Sequence, residues 1–245
     1  MRAAIVSRMT PAWFDHALVL CFVVLLPLAG ATVTYRRLTA ATGDPASRRM
    51  RFYRRTLVLQ ISMLVLVLAA WHAGGREWTQ LGVGIPRPWH AIFALAFAMI
   101  FVWRFYRAGQ REQQRIALRV VQVEQLGRLA PIMPRTRREL DLFVLLLLVA
   151  AASEEVVFRG YLTAYLRSYL PLGVAACIAV LAFAVAHAYQ GPKGVVLTGA
   201  VGGLCMILYL VSGSVWPCVL LHGGCNYVGA HLGHAAVRAF PGREL

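Results

Sequence analysis

Two adjacent carboxylates, Glu154 and Glu155, stand inside one of the most apolar runs of the chain, LLLLVAAASEEVVFRGYL, residues 145–162. The chain has ten acidic residues, and the other eight (Asp15, Asp44, Glu77, Glu112, Glu124, Glu139, Asp141, Glu244) fall in termini, loops or expected span ends. A charged side chain at mid-bilayer costs about 2.5–3.5 kcal/mol on insertion scales, so such residues face a wet or protein-lined interior and are candidates for function. Arg159 lies four residues after Glu155 and can neutralise it from the same helical face. Glu154 lies about 100° around the helix and needs another partner.

Histidine offers one. His187 and His222 fall inside apolar spans, whereas His16, His72, His90, His231 and His234 fall at span edges, where interfacial anchoring is expected. His222 and Asn226 share a helical face at i,i+4, as do Phe183 and His187. A lone intramembrane histidine most often hydrogen-bonds a neighbouring helix. Three polar clusters on three spans instead assemble a carboxylate, two imidazoles and a carboxamide, enough for a general base, an orienting group and an oxyanion site.

The elements that position these groups are membrane helices. Of 245 residues, 59% are hydrophobic and the mean hydropathy is +0.63. Several runs approach the roughly 20 residues that span a bilayer. Apolar runs between breaks predict seven spans, about 16–34, 56–73, 90–106, 140–165, 172–190, 194–211 and 215–233. The expected fold is all-α, a polytopic transmembrane bundle forming one domain over 1–245, with 140–233 carrying the candidate chemistry. The loop GGREWTQLGVGIPRPW reads as exterior, and Ile116, Val120, Val123 and Leu126 suggest a helix on the membrane surface. Gly199/Gly203 and Gly229/Gly233 form GxxxG pairs that permit close helix approach. Five single cysteines show no metal-ligand spacing and read as small buried residues.

The net charge of +15 comes from 24 arginines and Lys193, a bias that points to a GC-rich bacterial genome. Seven arginines fall in 35–55 and nine in 104–138, against two in 74–89. Basic loops stay cytoplasmic, which puts the amino terminus outside and the carboxyl terminus inside a bacterial cytoplasmic membrane. The arginines then contact anionic lipids, and nucleic acid is not an expected partner.

Glu154-Glu155-Val-Val-Phe-Arg159 fits EExxxR, Phe183 to His187 fits FxxxH, and His222 to Asn226 fits HxxxN. In this order, over residues 140–233, the chain resembles the CPBP group of CAAX-type and bacteriocin-processing intramembrane proteases, which includes the type II CAAX prenyl endopeptidase. The resemblance implies a glutamic-type hydrolase acting on a membrane-associated protein or peptide. It implies Glu154 as the base activating water, His187 as its orienting group, and His222 with Asn226 as the oxyanion site. Glu155, Arg159 and Phe183 would be supporting residues.

Other readings use the same residues. Glu154, His187 and His222 could be the three protein ligands of a catalytic zinc, but no HExxH and no close ligand pair is present, so no metal or cofactor is expected. A transporter or an immunity protein is the non-proteolytic alternative. Seven complete spans also put His187 late in one helix and His222 early in a parallel one, at different depths. A shared site therefore requires shifted boundaries or an incomplete sixth span.

Overall fold

Each long helix starts where the sequence supplies a stop for the preceding chain and a cap for the new turn. Asp44 accepts the Ser47 amide at 2.8 Å with Pro45 behind it, and Thr136 and Glu139 form a reciprocal capping box. Pro171 and the pair Gly191–Pro192 open two more. The computed structural model describes residues 9–29, 44–84, 88–116 and 127–239. Helix α1 runs Trp13–Val19, passes through a π-helical turn at Leu20–Leu25 and ends at Leu26–Ala29. It is followed by α2 (Pro45–Ala73), the short α3 (Trp78–Leu81) and α4 (Pro88–Ile116). Helix α5 runs Arg137–Glu155 and continues through a π-helical segment, Val156–Leu162, to Thr163–Arg167. Then come α6 (Leu172–Ala186), α7 (Pro192–Ser212) and α8 (Trp216–Ala239).

The all-α expectation holds: no strand occurs among the described residues. Helices α2, α4 and α7 contain stretches long and apolar enough to cross a membrane. Their outward faces are apolar, with Phe93 71% and Val196 74% exposed, a surface suited to lipid rather than water. The expected surface helix falls mainly on 117–126, outside the described residues.

Helix α5 is the centre, packed between α2 and α8, while α8 also packs on α4 and α6 packs on α7. Two carboxylates assigned to span ends are in fact buried. Asp15 pairs with Arg76 and accepts the Tyr161 hydroxyl, locking α1 to α5. Glu139 pairs with Arg49 at 2.9 Å, so this arginine, from a segment read as a topology signal, ties α2 to α5.

The loop at 74–89 is not wholly exterior. Leu81 and Gly82 are buried, and Gly82 (φ 79°) turns the chain in a left-handed conformation open to glycine. A Cβ on Gly160 would stand 2.5 Å from the Leu81 carbonyl oxygen, so α3 rests on bare α5 backbone. The Gly82 carbonyl in turn accepts the Val215 amide at 3.0 Å, holding the α7–α8 turn at that level. The GxxxG pairs do not act as pairs: Gly203 and Gly229 meet nothing within 4 Å, whereas Gly233 stands against the Met133 sulfur, and further close approaches fall at Gly160, Gly202 and Gly224. Gly160→Ala is expected to destabilise the fold by about 1–3 kcal/mol through overpacking, read by thermal unfolding in detergent; an unchanged transition would contradict this docking.

Candidate active site

Glu155 and Arg159 sit on either side of the change from α-helix to π-helix, and both are fully buried. Single π-turns inside α-helices are rare and concentrate at functional sites. The Thr163 hydroxyl donates to the Phe158 carbonyl at 2.9 Å within this segment. Arg159 Nε stands 3.0 Å from Glu155 Oε2, although its N–H is not aligned on that oxygen, so the contact is an ion pair rather than a hydrogen bond. Arg159 Nη2 donates to the Gly202 carbonyl at 3.0 Å, and the guanidinium lies 4.2 Å from the Phe183 ring centroid. A Cβ on Gly202 would stand 2.8 Å from Phe183 and 3.2 Å from Arg159, so this glycine admits both side chains.

The other Glu155 oxygen faces His222 Nδ1 at 2.8 Å. A carboxylate oxygen accepts, so His222 Nδ1 donates to it and Nε2 is left facing Glu154. His187 follows the same logic: its Nδ1 faces the Phe183 carbonyl at 2.8 Å, an acceptor only, which fixes the proton there. The two Nε2 atoms lie 3.8 Å (His187) and 4.0 Å (His222) from Glu154 Oε2. Both gaps exceed a direct hydrogen bond and match a contact bridged by one water. Phe183 packs against both imidazoles, at centroid distances of 4.7 and 5.7 Å.

The expected depth mismatch therefore does not arise. Val215 and Gly160 both dock on the Leu81–Gly82 turn. His222 lies seven residues beyond Val215, about 10 Å along α8, and Glu154 six before Gly160, about 9 Å along α5. Because the turn is sunk into the bundle, His222 reaches the level of Glu154.

Asn226 is placed differently from the other motif residues: its amide nitrogen donates to the Leu147 carbonyl at 3.2 Å. Gln60 on α2 was missed by sequence reasoning. Its Nε2 donates to Glu154 Oε1 at 2.9 Å, and its position within the run LVLQISMLVLVLAA was the available signal. Glu154, His187 and Gln60 line a cavity of about 210 Å³ that is walled by Phe22, Leu26, Phe52, Met63 and Phe158. Among the described residues no group of three His, Cys, Asp or Glu is arranged to hold a metal ion.

These groups coincide with a family match. Residues 137–228 match the family Type II CAAX prenyl endopeptidase Rce1-like. The resemblance drawn from the three motifs is borne out over that segment, which is similar to a peptidase family, and the apolar outer faces are those of a membrane protein. No curated protein and no solved structure matches the chain. The Rce1-like segment holds Glu154, His187 and His222, while Gln60 and most of the cavity wall come from outside it.

Removing Arg159 would strand a buried carboxylate. Arg159→Met is expected to cost about 3–5 kcal/mol, read as lost thermal stability, and Arg159→Met with Glu155→Gln to recover part of it. Equal stability of the single variant and the wild type would show that the pair is not a structural constraint.

Proposed function

We propose that the chain is an intramembrane endopeptidase of glutamic type, hydrolysing a peptide bond of a membrane-associated protein or peptide. The observation that carries this is the convergence of two imidazole Nε2 atoms on one carboxylate oxygen, Glu154 Oε2, at the wall of an apolar cavity.

In this mechanism Glu154 takes a proton from a water held between Oε2 and His187 Nε2. The water oxygen bonds to the scissile carbonyl carbon, and the carbonyl oxygen becomes an oxyanion. His222, with Glu155 behind its Nδ1–H, takes a second proton from solvent on Nε2 before the attack, donates it in a hydrogen bond to that oxyanion and keeps it as the intermediate collapses. Asn226 serves the same oxygen through an amide hydrogen not used on Leu147. The C–N bond then breaks, and Glu154 returns its proton to the departing amine. No cofactor is required, so activity is expected to survive chelators; a zinc enzyme would lose it.

Lateral access from lipid suits the apolar cavity walls. The arginine distribution puts the α2 start and the α8 end in the cytoplasm of a bacterial cell, facing anionic lipid.

Glu154→Gln, His187→Ala and His222→Ala are each expected to abolish turnover in a folded protein. Asn226→Ala should lower kcat by about 10²–10³-fold, the loss of one oxyanion donor. The decisive measurement compares membrane and secreted peptides of cells carrying the wild type with those carrying Glu154→Gln. A longer precursor accumulating in the variant alone identifies the substrate; identical peptides, with both proteins inserted, would sink the assignment in favour of a transporter or immunity protein.

A further inference from the structure

Gln60 places a carboxamide in the middle of an otherwise apolar helix. A polar group there needs a partner in hydrocarbon surroundings, and the partner it has is Glu154 Oε1, at 2.9 Å. The amide orientation follows from the contact, since only the N–H end can face a carboxylate. Gln60 Oε1 is buried with no hydrogen-bond partner, an arrangement that costs about 1–3 kcal/mol. A glutamine serving only to join α2 to α5 would gain nothing from that sacrifice, because the two helices are already joined at this level. The Ser153 hydroxyl donates to the Gln60 backbone carbonyl at 3.1 Å, and Arg49–Glu139 ties them again nearer their cytoplasm-directed ends.

The surroundings of Glu154 are otherwise one-sided. His187 from α6 and His222 from α8 both approach Oε2, while Glu155 and Arg159 on its own helix are turned to each other and to His222. The hydrogen bond to Oε1 comes from α2. A carboxylate free to rotate could offer either oxygen to a proton, and only one of them faces the imidazoles.

We propose that Gln60 is a positioning residue for Glu154: its amide N–H occupies Oε1 and leaves Oε2, the oxygen between the two imidazoles, as the atom that exchanges the proton. This rests on the peptidase reading above and extends it to a residue outside the Rce1-like segment. The N-terminal half thereby supplies part of the site as well as a wall of the cavity.

The test has one arm that needs no substrate. In the full-length chain carrying ¹³C-glutamate, the infrared carboxylate band of Glu154 is assigned by its loss in Glu154→Gln. Gln60→Met, close in size but without a donor, is expected to move that band, and Gln60→Leu serves if the first variant folds poorly. Ser153→Ala, which cuts the neighbouring cross-link alone, is expected to leave it in place. The second arm uses a quenched fluorescent peptide with a farnesylated CAAX terminus: Gln60→Met should lower kcat about 10–100-fold with KM little changed, and Ser153→Ala should match the wild type. A band, or a kcat, that stays at the wild-type value in Gln60→Met overturns the proposal. If the wild type cleaves no such peptide, the farnesylated terminus is not its substrate, and the band alone decides the clamp.

Discussion

The buried ion pair of Glu155 and Arg159 is the constraint on which the site is built. Two charges withdrawn from water are tolerated only when their geometry is held and their remaining atoms are engaged. Arg159 is held by the Gly202 carbonyl below and the Phe183 ring beside it, and Glu155 by the His222 imidazole. Each of these contacts fixes something further: Gly202 sets the approach of α7, Phe183 the position of α6, and His222 the rotation of α8. The pair therefore acts less as a source of stability than as a specification of how three helices face α5.

The same chain of contacts decides protonation. Glu155, paired with Arg159, meets His222 Nδ1 as a carboxylate acceptor, so that nitrogen carries the ring proton. Because Phe183 offers a backbone carbonyl, His187 must do likewise. Both rings then present Nε2 to one oxygen of Glu154, an arrangement of acceptors that calls for a donor between them. Buried networks of this kind are worth their cost only when the members are satisfied. Here Arg159 Nη1 and Gln60 Oε1 are buried without a hydrogen-bond partner, while Glu154 and His187 line the cavity.

Outside this core, the bundle obeys two opposite demands. Its outer faces meet hydrocarbon, and helices such as α2 and α7 are apolar over much of their circumference. Its inner faces must still bind helices to one another without much hydrophobic gain, since lipid is as apolar as leucine. The solution is a set of buried polar ties, Asp15–Arg76, Arg49–Glu139 and Gln60–Glu154, joined to α5 at several levels, and glycines where backbone must meet side chain.

The helical class, the long apolar runs and the shared faces of the candidate residues were legible in the sequence, because each depends on local order. Hydropathy runs mark the spans, and i,i+4 spacing puts Glu155 with Arg159, Phe183 with His187 and His222 with Asn226 on common faces. Partners on other helices were not legible. The burial of Asp15 and Glu139, the close contacts of Gly202, the Leu147 contact of Asn226 and the arrival of Gln60 at Glu154 depend on the rotation and depth of each helix. Those are set by the sunken Leu81–Gly82 turn and by the packing around α5. A one-dimensional pattern carries a helix's faces but not its height against its neighbours, and height is what brings His187, His222 and Gln60 to a single carboxylate.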